Sequence, residues 1–150
     1  MKTRVWFTPF YLIAAACVGV GDTLYLSYYT HLGLTPTCAI LQGCDQVLNS
    51  IYSKIYGAPL AYIGLLFYLY MLGLAILLAY DPESKGLRLG MLLYATIGFI
   101  CSLHFELVQI FSIGALCLYC AISAITTLFL FVLAVIHWAL TRRAFKISSQ

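Results

Sequence analysis

PLAYIGLLFYLYMLGLAILLAY, residues 59–80, contains no charged side chain. A surface helix of a soluble protein keeps a polar face towards water, and a helix that is apolar all round is buried or crosses a membrane. At 1.5 Å per residue, about 20 apolar residues cover the roughly 30 Å hydrocarbon core of a bilayer, so this stretch has the length of one crossing. Three more segments of that kind flank it, at 5–28, 87–113 and 117–140. Their breakers sit where ends belong: Gly57 and Pro59 before residues 59–80, Asp81 and Pro82 after, Gly86 before the third span and Gly114 between the third and fourth. The whole chain of 150 residues is 63% hydrophobic and 9% charged. A soluble domain carries about 25% charged residues. Disorder, nucleic-acid binding and a separate soluble domain are thereby excluded. The expected class is an all-α integral membrane protein, one four-transmembrane-helix bundle over residues 1–150, with an outer loop carrying a short half-helix.

The first span has a second possible reading. Lys2 and Arg4 precede an apolar run holding Ala14, Ala15, Ala16 and Cys17, which faintly resembles a lipoprotein cleavage site. The run continues about a dozen residues past Cys17, too long for a signal h-region, and Ala14 stands where a larger aliphatic is usual. An uncleaved helix is expected.

Basic residues resist translocation, so their positions orient the bundle. Lys2, Arg4, Lys85, Arg88, Arg142, Arg143 and Lys146 fall on one side of four spans, and only Lys54 falls on the other. The basic side is expected to be cytoplasmic, holding both termini of a protein in the inner (cytoplasmic) membrane. Residues 30–58 and the Gly114 turn then face the periplasm or exterior. Tyr28, Tyr29, Tyr52, Tyr56 and Tyr119 cluster near that outer boundary, with Trp6, Tyr80 and Trp138 near the inner one, as interfacial anchors do.

Six cysteines divide by this topology. Cys17 and Cys101 lie within spans, where a thiol serves as a small hydrophobe. Cys38, Cys44, Cys117 and Cys120 all lie on the outer, oxidising face. Cys117 and Cys120, spaced i and i+3, share one helix face. The Gly114 turn makes Cys117 the expected first helical residue, where unpaired N–H groups and the helix dipole lower a thiol's pKa. In the loop, Gly43 can supply a tight turn before Cys44. Asp45 is the expected N-cap of a half-helix whose apolar stripe is Val47, Leu48, Ile51 and Ile55. Four convergent cysteines admit three readings: a closed four-thiolate zinc site in a membrane scaffold without redox turnover, a two-pair dithiol relay, or plain structural disulfides. Zinc is unusual on an oxidising face, which favours the relay.

The stretch CAILQGCDQVLNSIYSKIYGAPLAYIGLLFY, residues 38–68, followed by the CLYC of residues 117–120, resembles the vitamin K epoxide reductase family in its bacterial and archaeal form. The resemblance extends over essentially the whole chain. It implies a four-helix bundle that holds a quinone, menaquinone or ubiquinone, near its outer end. Cys117 and Cys120 match the family's active-site pair, with Cys120 facing the quinone. Cys38 and Cys44 match the loop pair that exchanges with a DsbA-like thioredoxin-fold partner, and Ser50 matches a serine at the quinone site. Leu60 and Ala124 stand where animal members carry an asparagine and a tyrosine that contact vitamin K, so quinone reduction is expected rather than epoxide reduction. Many bacterial members continue into a thioredoxin-like domain. This sequence ends at Gln150, so a separate exported partner is expected.

A quinone pocket needs flat apolar walls and few polar groups. Ser50 is the expected hydrogen-bond donor, and Tyr62, Phe67 and Tyr119 are the expected walls, with Tyr68, Phe105 and Phe111 as further candidates. Asp22, His104 and Glu106 are ionisable residues inside spans, which are costly in lipid and face a bundle interior. Glu106 lies about 12 Å below the outer end. Asp22 or Glu106 can relay the two protons that quinone reduction consumes, or the residues can form a structural polar pair. His31 and His137 lie near span ends, where they are expected to face water or headgroups.

Overall fold

In the computed structural model, hydrophobic length dictates the architecture. It describes residues 2–36, 38 and 43–148, with the side chains from residue 7 to residue 142; Thr37, Ala39, Ile40, Leu41 and Gln42 lie outside the described residues, as do the side chains of Lys2, Arg4, Trp6, Arg143 and Lys146. The helices are α1 (Lys2–His31), the short α2 (Cys44–Leu48), α3 (Leu60–Tyr80), α4 (Lys85–Val108) and α5 (Leu118–Ser148). Four of them are long and apolar enough to cross a membrane, over Phe7–His31, Leu60–Tyr80, Lys85–Ile113 and Leu118–Arg142.

Helix α1 packs between α3 and α5, α4 packs on α5, and the α3–α4 seam is the loosest of these interfaces. In lipid there is no hydrophobic drive between helices, so small residues that allow close approach matter most. Ala16, Ala75, Ala95 and Ala134 fill that role in the core, beside Leu12, Met71, Leu78, Met91 and Leu130. The same core cluster holds the polar side chain of Tyr68, 1% exposed. Its hydroxyl donates to the Ser123 carbonyl at 2.7 Å and lies 2.7 Å from Thr127 Oγ1, tying α3 to α5.

At the opposite end from the cysteines, the Arg88 and Arg142 guanidinium carbons lie 5.8 and 4.8 Å from the Trp138 ring centroid. Cation–π contact of this kind suits a membrane boundary. His137 beside it is 1% exposed, contrary to its expected place in water or headgroups. The reason is length: α5 runs on to Ser148, so His137 is not at its end. His31, by contrast, is the exposed last residue of α1.

The span limits shift by a few residues, for local reasons. Helix α1 passes Tyr28 to reach His31 because Gly33, at φ +68°, closes it. Gly33 N–H bonds the Thr30 carbonyl and Leu34 N–H the Tyr29 carbonyl, the two bonds of a Schellman motif. Helix α4 starts at Lys85, so Gly86 lies inside its first turn, where N–H groups need no helical partner anyway.

The expected half-helix is shorter than its apolar stripe. Asp45 is not the N-cap, since Gly43 occupies that position and Asp45 lies in the first turn. Its Oδ1 instead accepts from Thr35 Oγ1 at 3.0 Å and Asn49 Nδ2 at 2.8 Å. The helix stops at Leu48, and Ile51 begins a single 3₁₀ turn with 85% of its surface exposed. Ile55 belongs to strand β1 (Lys54–Ile55), which pairs antiparallel with β2 (Ala58–Pro59). The two-residue hairpin turn uses Tyr56 at φ +51° and Gly57 at φ +85°, the positive pair such turns demand. This hairpin feeds directly into α3.

Candidate functional site

Two short-range devices bring the cysteine pairs together at one end of the bundle. On the loop side, Cys38 and Cys44 are joined in a disulfide, with Cα atoms 6.1 Å apart. Cys44 is the first residue of α2 and is 2% exposed. It packs in one apolar cluster with Val47 and fully buried Cys117, and Cys38, Tyr119 and Cys120 lie against that cluster. All four cysteines therefore share one site.

Gly43 makes this approach possible, by a different route from the expected turn. Its backbone, at φ −89° and ψ 0°, is open to any residue. What glycine supplies is space: a Cβ here would lie 2.7 Å from the Leu116 carbonyl oxygen and 2.8 Å from the Leu116 nitrogen. The loop carrying Cys44 rests backbone to backbone on the segment before Cys117.

On the bundle side, α4 ends in one π-helical turn, Gln109–Ile113, terminated by Gly114 at φ +69°. Such turns recur at functional sites. Its first residue, Gln109, is buried, and its Oε1 accepts the Cys117 backbone N–H at 3.0 Å. The Gln109 carbonyl also accepts from Ala115 N–H at 3.3 Å. One side chain thus fixes the start of the cysteine helix. Nothing in the spacing of the sequence singled Gln109 out, because its partner is a backbone group eight residues away across a turn.

Helix α5 begins at Leu118, so Cys117 is its N-cap rather than its first residue, and its carbonyl accepts Ala121 N–H at 3.0 Å. The expected consequence survives the shift of one position. A hydrogen bond from the Cys120 thiol, aided by the N–H groups of Cys120 and Tyr119 and opposed by burial, brings the Cys117 thiol down to about 7. With Cys38–Cys44 oxidised and Cys117 and Cys120 reduced, alkylation of Cys117 by iodoacetamide is expected to be half-maximal near pH 7. Below that pH the thiolate, the reactive form, falls about tenfold per pH unit. An alkylation midpoint near pH 9 would show that the N-cap does not act on this thiol.

Next to the cysteines lies a cavity of about 470 Å³, large enough for a small aromatic ligand. Cys120 lines it, whereas Cys117 does not. Of the expected wall and donor residues, Ser50, Phe67 and Tyr119 line it, as do Tyr68 and Phe105. Tyr62 and Phe111 do not. At about 100° per residue, Tyr62 falls outside the arc of α3 spanned by Ala61, Ile63, Phe67 and Tyr68. Phe111 lies on the outward face of the π turn, 80% exposed.

Ser50 reaches the cavity with its hydroxyl already committed, donating to the Val47 carbonyl at 2.7 Å. The ring of Phe67 stands against Gly98, where a Cβ would meet its Cζ at 2.2 Å, and stacks on Tyr94 with centroids 4.9 Å apart. Tyr119 is braced by Tyr25 at 5.2 Å, and Tyr25 by Tyr29 at 4.7 Å, so part of the outer aromatic group supports the site. Tyr52 and Tyr56 are exposed.

Asp22 and Glu106 also line the cavity, and His104 does not. Cys101, read as a small hydrophobe, is one of the lining residues as well, whereas Cys17 faces outward. Leu60 is part of the wall and Ala124 is not. The polar lining also includes Gln109, Ser123 and Thr127, none of which stood out in the sequence. A Ser or Thr within an apolar helix ordinarily bonds its own backbone, as Thr127 does to Ser123.

A family model described as the vitamin K epoxide reductase family matches residues 10–135. Among characterised proteins, the chain is 33% identical over 121 residues to the thiol-disulfide oxidoreductase LTO1 of Arabidopsis thaliana, an alignment covering 76% of this chain and 32% of that relative. The chain thus spans about a third of the length of this curated relative.

Proposed function

The chain belongs to the vitamin K epoxide reductase family, and from that premise we propose that it is a membrane thiol-disulfide oxidoreductase linked to a quinone. Electrons enter from the thiols of a separate DsbA-like thioredoxin-fold partner, pass through Cys38/Cys44 and then Cys117/Cys120, and leave to menaquinone or ubiquinone. The protein supports disulfide formation outside the cytoplasm, with both termini in the cytoplasm and the cysteine loop on the periplasmic or extracellular face. One observation carries this reading: Cys44 and Cys117 share one buried cluster with Cys38 and Cys120 packed against it, and within the CxxC only Cys120 opens onto the adjoining cavity.

The residues fit a quinone. Leu60, Phe67 and Phe105 offer apolar and aromatic walls, and the buried oxygen of Asp22 lacks a hydrogen-bond partner among the described residues. The quinone supplies a two-electron, two-proton acceptor. The protein's own part is thiol exchange. Partner thiolate attacks the half-buried Cys38 and releases Cys44, and the partner's second thiol resolves the mixed disulfide. When Cys117 and Cys120 are disulfide-bonded, Cys44 attacks Cys117 and releases Cys120 at the cavity, and Cys38 then attacks Cys44, restoring the loop disulfide and freeing Cys117. The lowered pKa of Cys117 keeps its thiolate available as the pair closes again. About 30 mV is worth about 1.4 kcal/mol in a two-electron couple, so a quinone potential well above the dithiols drives the relay forward.

The four-thiolate zinc scaffold has less support. Cys38 and Cys44 are bonded to each other, which leaves two thiols. Among the described residues no group of three or more His, Cys, Asp and Glu side chains is placed to hold a metal.

The decisive experiment mixes purified protein with a reduced DsbA-like protein and a short-chain ubiquinone or menaquinone. Quinol formation matched one to one by partner disulfide is expected. Partner oxidation absent with every quinone tried would overturn the reading.

A further inference from the structure

A cavity that receives electrons from Cys120 must also deliver protons, and most of its polar groups are already engaged. The Ser50 hydroxyl donates to the Val47 carbonyl, and the Tyr68 hydroxyl donates to the Ser123 carbonyl. Thr127 Oγ1 donates to Ser123 as well. Asp22 differs. Its Oδ2 is sealed from solvent and has no hydrogen-bond partner among the described residues, yet the side chain lines the cavity. An isolated carboxylate oxygen in an apolar enclosure is far more costly than a neutral carboxyl, so such a site holds a proton unless a partner arrives. Glu106, the other carboxyl on the cavity, has no oxygen sealed in this way.

We propose that Asp22 is the proton donor of the cavity, holding a proton on its carboxyl and passing it to an oxygen of the bound acceptor as Cys120 gives up its electrons. This deepens the quinone reading and rests on it. The balance is that of a dithiol and a quinone becoming a disulfide and a quinol. Cys117 and Cys120 together lose two electrons and two protons, and the acceptor gains both. Asp22 lends one of those protons first and recovers it from the closing cysteine pair or from water.

The arrangement links proton and electron delivery. A negative charge on Asp22 acts against the Cys117 thiolate, so the two sites sense each other. The ionisable groups coupled to this carboxyl are Tyr68 from α3 and Cys117 and Cys120 at the start of α5, while Glu106 of α4 lines the same cavity. None is cationic. An Asp22 left deprotonated therefore has no compensating partner, which returns the proton to it after each transfer.

The test compares wild type, Asp22→Asn and Asp22→Glu, each purified as the full chain, with dithiothreitol as electron donor and a short-chain ubiquinone as acceptor. General acid catalysis is worth typically 10²–10⁴-fold. Quinol formation by Asp22→Asn is expected to fall by about 100-fold or more, and Asp22→Glu is expected to recover part of it. The second readout needs no quinone: alkylation of reduced Cys117 across pH. Removing the carboxylate is expected to make Cys117 react as fast as wild type or faster, with its midpoint unchanged or lower. Slow turnover beside an intact thiol is the signature of a missing proton. Quinol formation by Asp22→Asn within twofold of wild type would overturn the proposal, as would a parallel loss of Cys117 reactivity, which marks a structural role. A wild-type protein that forms no quinol would instead overturn the quinone reading itself.

Discussion

Cys120→Ser is expected to reduce thiol-to-quinone turnover by at least roughly 1,000-fold, to the rate without enzyme. A hydroxyl has neither the redox chemistry of a thiol nor a route to a disulfide with Cys117. Cys120 is also the member of the CxxC that lines the cavity, so no neighbouring sulfur of the pair can replace it. The free Cys101 thiol lines the same cavity but lies on α4, outside the cysteine cluster. The Cys38–Cys44 disulfide should still open to the partner. The Cys117 thiolate, left without Cys120, can still attack Cys44 of the Cys38–Cys44 disulfide and release Cys38, so a Cys44–Cys117 bridge is expected to accumulate, visible by mass spectrometry of non-reduced peptides. Turnover above a tenth of wild type would remove Cys120 from the electron path.

The second large effect comes from a residue with no chemistry of its own. A Cβ on Gly43 would stand 2.7 Å from a backbone oxygen and 2.8 Å from a backbone nitrogen of Leu116, and backbone cannot swing aside as a side-chain tip can. In Gly43→Val the loop must lift, carrying Cys44 away from Cys117. A misplacement of about 1 Å can cost on the order of 100-fold in rate. Gly43→Val is therefore expected to lose roughly that factor in transfer between the two pairs. Reduction of the Cys38–Cys44 disulfide by dithiothreitol should stay near the wild-type rate. Stopped-flow measurement of each half-reaction separates the two. Equal slowing of both, or of neither, would show that backbone contact at Gly43 does not set the distance between the pairs.

The architecture was legible because a bilayer imposes a length and a polarity that few sequences satisfy by accident. Residues 59–80 and their three counterparts lie on the four long helices, the last of which runs on past its expected limit at 140 to Ser148. The division of the cysteines was equally readable, since it follows from topology alone. What the sequence concealed depends on tertiary contact. Gly43 reads as a turn residue, but it is needed for room against Leu116. Gln109 reads as a stray polar residue near a span end, but it holds the Cys117 N–H. The stripe Val47, Leu48, Ile51 and Ile55 has helical spacing, yet the chain needs its last two members for a 3₁₀ turn and a hairpin leading into α3. Ser50 was placed at the cavity from the motif, but its commitment to the Val47 carbonyl is a local backbone matter that no spacing reveals.

The loose α3–α4 seam has a kinetic consequence. Ile63, Leu66 and Ile97 line the cavity and are also exposed on the outside of the bundle, so the wall there is a window onto the surrounding acyl chains. A long-tailed acceptor can enter sideways without ever crossing water. Its supply is then governed by its mole fraction in the lipid, a two-dimensional concentration, and not by the amount in the tube. Saturation measured in vesicles should follow the ratio of acceptor to lipid and stay fixed when the whole suspension is diluted.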